Sequence, residues 1–227
     1  MNRVFVIAEA GVNHNGSLEY AKKLIDAAAL AGADAVKFQT FKADRLVRRD
    51  AQKAAYQQEN TRNKQETQYD MLKRLELSEE MHQELMDHCK EKKIMFLSTP
   101  FDSDSLKMLL KQGISLWKVP SGEVTNYPYL REIAKTGKPV IMSTGMCDLE
   151  EVKAAVKTLQ ENGSGGITLL HCNTEYPTPV EDVNLRAMCT LKDEIHLPVG
   201  YSDHTRGIEV PVAAVAMGAV VIEKHFT

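Results

Sequence analysis

The sequence predicts a (β/α)8 barrel of the TIM type that lacks its last helix. Three observations point there. Eight short apolar, β-branched runs alternate with seven amphipathic stretches of helical period. The runs are apolar almost throughout, as strands covered on both sheet faces are. Each run also ends, on its C-terminal side, in a cluster of polar residues, which is where barrel enzymes carry their chemistry.

The runs are residues 4–8, 35–38, 94–98, 116–119, 139–143, 167–171, 198–201 and 219–223. The helical stretches between them are 18–31, 79–92, 103–111, 127–135, 149–162, 184–194 and 208–217. Gly32, Gly113, Gly137, Gly163 and Gly218 each follow a helical stretch and read as left-handed helix stops. The interval 42–77 breaks the rhythm. It is polar, with Gln57, Gln58, Asn60, Asn63, Gln65 and Gln68 in close succession. Long loops in compact domains are usually functional, and this one leaves a C-terminal strand end, so it is expected to reach over the barrel mouth as a lid. No helical stretch follows the eighth run. Residues 1–227 therefore read as one barrel domain belonging to a longer protein.

At 43% hydrophobic and 26% charged, the chain suits one soluble globular domain. A net charge of −3 gives no bulk attraction to nucleic acid or membrane. Cys89, Cys147, Cys172 and Cys189 form no CxxC pair and read as reduced thiols of a cytoplasmic protein. No apolar run is long enough to cross a bilayer, and no signal-peptide pattern precedes the first strand.

The strand-end residues form a coherent set. Lys37 and Lys118, with Thr99, Ser121-Gly122 and Ser143-Thr144-Gly145, can neutralise and hydrogen-bond an anion such as phosphate or carboxylate. Alternatively the lysines pair with Glu9 and Glu123. These carboxylates are candidate acid/base groups or salt-bridge partners. His204 and His225, at the ends of neighbouring strands, are candidate metal ligands or hydrogen-bonded general acids. His171 reads as a core histidine; His82, His88 and His196 read as surface residues.

Several segments carry a family resemblance: Ile7-Ala8-Glu9-Ala10-Gly11-Val12-Asn13-His14-Asn15-Gly16, Val36-Lys37-Phe38-Gln39-Thr40, Ser98-Thr99-Pro100-Phe101, Lys118-Val119-Pro120-Ser121-Gly122-Glu123, Ser143-Thr144-Gly145-Met146, Gly200-Tyr201-Ser202-Asp203-His204-Thr205 and Glu223-Lys224-His225-Phe226-Thr227. Together with the stretch His171 to Pro179, they resemble the bacterial sialic acid synthases, which include the legionaminic and pseudaminic acid enzymes. The resemblance implies condensation of phosphoenolpyruvate with an N-acetylated mannosamine-type aldose, giving a nine-carbon 2-keto sugar acid and phosphate. It implies a divalent metal, Mn foremost with Mg or Co as alternatives, on His204 and His225. Lys37, Thr99, Lys118, Ser121, Ser143 and Ser202 match phosphoenolpyruvate contacts; Gln39, Thr174 and Tyr176 match sugar-side contacts; Glu9 and Glu123 match catalytic carboxylates. The order Asn173-Thr174 departs from the common family order. A lid asparagine corresponds to Asn60 or Asn63. The resemblance further implies a homodimer and a C-terminal antifreeze-like domain that this chain does not contain. Three other readings remain: another phosphoenolpyruvate–aldose synthase, a Schiff-base aldolase using Lys37, Lys118 or Lys224, or a barrel that binds ligand without turnover.

Overall fold

A computed structural model describes residues 3–53 and 66–227. Eight parallel strands form one sheet, β1 Phe5–Gly11, β2 Ala35–Thr40, β3 Met95–Pro100, β4 Trp117–Val119, β5 Val140–Ser143, β6 Ile167–Cys172, β7 Val199–Asp203 and β8 Val221–His225. The ladder runs β3-β2-β1-β8-β7-β6-β5-β4. It curls into a nearly closed barrel in which β3 and β4, the two ends of the ladder, share no regular pairing. The described helices are α1 Leu18–Leu30, α2 Ala43–Leu46, α3 Gln68–Leu75, α4 Glu79–Lys92, α5 Ser103–Lys111, α6 Tyr127–Ala134, α7 Leu149–Glu161, α8 Arg186–Ile195 and α9 Glu209–Ala216. Among the described residues, no helix is long and apolar enough to cross a membrane.

The helices start where the caps dictate. Ser17, Ser78, Asp102, Asn126 and Asp148 each accept a backbone N–H of the helix that follows. All five glycines expected to stop helices have positive φ. Lys93 and His196 do the same at the ends of α4 and α8, positions that a search for glycine passes over.

Two cores follow from the strand period. Residues facing the helices, among them Phe38, Trp117, Leu169 and Ile222, join the inner faces of the helices in the larger cluster. Residues facing the barrel axis, Ile7, Ala35, Leu97, Ile141, Leu170 and Val221, form a separate apolar plug. Two residues further along most strands, on the same face, the side chains turn polar: Glu9, Lys37, Thr99, Ser143 and Glu223. The plug is the floor on which the polar layer stands.

Three expectations need correcting. The 42–77 interval is not one loop, because α2 and α3 lie within it. Thr67 and Asp70 make a capping box that starts α3, and Glu76 Oε1 accepts the Ala43 N–H that opens α2. Asn60 and Asn63, the candidate lid asparagines, lie outside the described residues. His82 is not a surface residue but fully buried on the inner face of α4. Its Nδ1–H donates to Ser78 O, and its Nε2 accepts from Thr40 Oγ1, which in turn accepts from Ser98 Oγ. His171, expected in the core, is half-buried instead, bonded through Nε2 to Val183 O.

Candidate active site

The polar layer is an ion cluster in which every member is buried. Lys37 Nζ lies 2.6 Å from Glu9 Oε2 and 3.9 Å from Glu223 Oε2. Lys118 Nζ lies 3.4 Å from Glu223 Oε1 and donates to Ser143 Oγ at 2.8 Å. Lys37 Nζ also donates to Thr99 Oγ1, and Ser202 Oγ donates to Glu223 Oε1 at 2.9 Å. The Lys37–Glu9 contact is a close, buried ion pair. Glu223 Oε2, by contrast, is buried without a hydrogen-bond partner, with Lys37 Nζ 3.9 Å away. Such an orphaned oxygen is costly in a folded protein unless a ligand or water uses it.

The two carboxylates titrate in opposite directions. Burial dominates at Glu9 and pushes it up to about 7, against the pull of Lys37. Burial also acts to raise Glu223, but Lys118, Lys37 and the Ser202 hydrogen bond outweigh it and hold Glu223 well below the usual range. Two acids with environments that separate their pKa values are the arrangement that assigns one to proton transfer and the other to standing charge.

Above this layer stand the histidines. The rings of His204 and His225 are 5.7 Å apart. His204 Nδ1 donates to Asn173 O at 2.7 Å, which fixes the tautomer and leaves Nε2 with its lone pair free. Burial lowers both imidazoles, His225 to about 4, so both are neutral and able to ligate. The Tyr176 ring packs 4.2 Å from that of His204 and edge-on to His225. Gly11, with φ +55°, leaves a small cradle: a Cβ there would meet Glu9 Oε1 at 3.3 Å, Gln39 Nε2 at 3.8 Å and His225 Cε1 at 3.9 Å. Among the described residues, no three His, Cys, Asp or Glu side chains converge as a complete metal cage. Two neutral imidazoles 5.7 Å apart can hold a cation in an open site, whose remaining positions water or substrate fills.

The other expected residues lie around this centre. Ser121 Oγ accepts the Gly145 N–H at 2.9 Å, joining the ends of β4 and β5. The Thr174 methyl packs where a side chain on Gly145 would stand. Neighbouring Asn173 anchors the loop through Asp182 O and keeps a buried, unpartnered Oδ1. Glu123 stands outside the buried cluster, in the 3-10 turn Ser121–Glu123, where it accepts from Asn126 Nδ2. The central acid that sequence reasoning passed over is Glu223. Its signal was present, since it sits two residues before His225 and so shares its strand face. Lys224, by the same alternation, faces away from the barrel axis and is bonded to Asp203 and Thr205 O.

Comparison with known proteins fits this geometry. The NeuB family model matches residues 24–227. This chain belongs to the NeuB family. It is 55% identical, over its whole length, to N,N'-diacetyllegionaminic acid synthase of Campylobacter jejuni, and 56% identical over 98% of its length to the Legionella pneumophila enzyme of that name. It spans 68% and 64% of the lengths of those two relatives. The crystal structure of N-acetylneuraminic acid synthetase from Leptospira borgpetersenii, in complex with citrate, superposes on the whole chain with a TM-score of 0.87 at 38% identity, and the match covers 74% of that chain. A truncated 3-deoxy-D-arabino-heptulosonate 7-phosphate synthase from Thermotoga maritima, 17% identical with a TM-score of 0.71, shares the barrel fold.

Proposed function

We propose that this NeuB-family barrel condenses phosphoenolpyruvate with an N-acetylated mannosamine-type aldose, giving a nine-carbon 2-keto sugar acid and inorganic phosphate. The observation that carries the reading is the pair of buried lysines, Lys37 and Lys118, set below two neutral imidazoles in one barrel mouth. Buried cations need anionic partners, and a small, highly charged ligand brings its own to Lys37 and Lys118.

The chemistry then divides among the residues. Lys37 and Lys118 offset the phosphate and carboxylate of phosphoenolpyruvate, while Thr99, Ser121, Ser143 and Ser202 hydroxyls hydrogen-bond its oxygens. Gln39, Thr174 and Tyr176 meet the sugar. C3 of phosphoenolpyruvate attacks the open-chain aldehyde carbon, and positive charge develops at C2. Ionised Glu223 stabilises that charge. Water adds at C2 and phosphate leaves with cleavage of the C–O bond. Glu9, pushed up to about 7, can give or take a proton at neutral pH. Glu123, at the rim, is the second candidate for proton transfer. A divalent cation, Mn foremost and Mg or Co as alternatives, held by His204 and His225, would supply Lewis-acid polarisation of the aldehyde oxygen.

Two relatives above 50% identity are named for diacetyllegionaminic acid, which favours the diacetylated aldose over N-acetylmannosamine. The test is phosphate release from phosphoenolpyruvate with Mn, each sugar offered in parallel and a chelator as control. Sugar-dependent release that the chelator stops is expected. Binding of phosphoenolpyruvate without release would support a barrel that only binds, and absence of both would sink the reading.

A further inference from the structure

The two imidazoles are not held alike. His204 has its Asn173 carbonyl, whereas neither ring nitrogen of His225 makes a hydrogen bond among the described residues. What fixes His225 is therefore the placement of the β8 strand end itself, and that end is tied to β7 by two consecutive rungs. On the inner face Ser202 pairs with Glu223; on the outer face Asp203 pairs with Lys224. Each histidine is the next residue after the outer rung.

That rung is a closed clasp. Asp203 is fully buried, and its carboxylate takes three donors. Oδ1 accepts the Thr205 N–H at 3.0 Å and the Thr205 hydroxyl at 2.8 Å; Oδ2 accepts Lys224 Nζ at 2.5 Å. Lys224 Nζ also donates to Thr205 O at 2.8 Å. Asp203 and Thr205 bracket His204, and Lys224 precedes His225, so one network pins the backbone on both sides of one imidazole and next to the other. A lysine bonded to both neighbours of His204 cannot move without moving the spacing of the two rings.

We infer that the Asp203–Lys224–Thr205 clasp on the outer barrel wall is a positioning device that sets the His204–His225 separation for a divalent cation. This rests on the metal role given to these histidines under the proposed function. The clasp bonds to neither lysine of the anion layer, and the separate Ser202–Glu223 bond keeps the inner rung in place without it, so its effect falls on the cation first. Replacing Lys224 removes one of three donors from a buried carboxylate and loosens the end of β8 on its β7 side, leaving the Glu9–His225 pairing to β1.

The experiment is Mn and Co titration of the whole chain, followed by calorimetry and by the visible spectrum of bound Co, which reports ligand geometry. Lys224→Met is expected to weaken Mn binding by roughly 10-fold or more, the loss typical of groups that orient metal ligands. It should also alter the Co spectrum and leave phosphoenolpyruvate affinity without metal unchanged. Lys224→Arg, which keeps the cation, should restore the affinity. If the buried Asp203 charge keeps Lys224→Met from folding, the double change Asp203→Asn with Lys224→Met removes both charges and should show the same metal defect. Unchanged Mn affinity and Co spectrum in a variant of lowered thermal stability would overturn the clasp as a positioning device and leave it a fold contact. Failure of the unaltered chain to bind Mn or Co, with His225→Ala as control, would instead remove the metal reading and the clasp's role with it.

Discussion

Lys118 Nζ sits between Ser143 Oγ and Glu223 in the polar layer at the barrel mouth. A charge-assisted hydrogen bond to a bound anion contributes about 1.5–3 kcal/mol. Lys118→Met should therefore weaken phosphoenolpyruvate roughly 10- to 100-fold by calorimetry. Glu9→Gln should lower turnover while that affinity holds, since Glu9 supplies a proton rather than a positive charge. Away from the site, buried His14 carries a pH effect on stability. Its Nδ1 accepts the Gly16 N–H, and burial, then His82, lowers its pKa from 6.5 to about 4. Between those values the unfolded chain binds more protons than the folded one. Stability from this group is thus full above 6.5, falls as pH drops toward 4 and levels off below it, by on the order of 3 kcal/mol. Urea denaturation across that range should show a shallower acid loss in His14→Asn. Equal slopes in the two proteins would show that His14 does not contribute.

The strands owe their chemistry to a repeat of two residues, and the floor beneath it is equally strict. On β7 the position inside the plug is Gly200, where a Cβ would lie 2.3 Å from Val221 O and 2.8 Å from Leu170 Cδ2. Gly200→Ala should push β8 away from β7 and cost about 1–3 kcal/mol, the usual range for overpacking. Because β8 carries Glu223 and His225, the same change should weaken Mn binding. Thermal denaturation and Mn titration test the two effects, and a variant as stable as the parent would show that the plug tolerates the methyl. A second tight approach links the 42–77 interval to the barrel: a Cβ on Gly16, whose φ is +76°, would fall 2.3 Å from Arg74 O. The loop after β1 and the end of α3 are therefore in backbone contact, which brings this part of the interval beside the strand end that carries Glu9.

The barrel as a whole has one weak seam. Seven of its neighbouring strand pairs form hydrogen-bonded ladders, but β3 and β4 do not. β4 is also the shortest strand, Trp117–Val119, and it holds Lys118. Local opening begins where few backbone bonds must break. Native-state hydrogen exchange should therefore find residues 117–119 less protected than β1, and bound phosphoenolpyruvate should slow exchange there by linking Lys118 to Lys37 across the seam. Equal protection in both strands without ligand would count against a seam at this place.

Much of this was legible in the chain itself. Strand and helix periods and the glycine stops prescribe eight strands with seven helical stretches between them, because those signals act over a few residues. The strand-end motifs likewise marked Lys37, Lys118, His204 and His225, since a polar residue closing an apolar strand is a local anomaly. Tertiary structure decided the pairings. Glu9 does pair with Lys37, but the carboxylate shared by both lysines is Glu223 rather than Glu123, because β8 lies beside β7 and β1 and aims its inward residues at the axis. His82 is buried because the inner face of α4 meets β2 and β3, a contact that its own helix does not specify. The opposite pKa shifts of Glu9 and Glu223 depend on depth and on distances to Lys37 on β2 and Lys118 on β4. Sequence order carries none of those distances; only the closed barrel does.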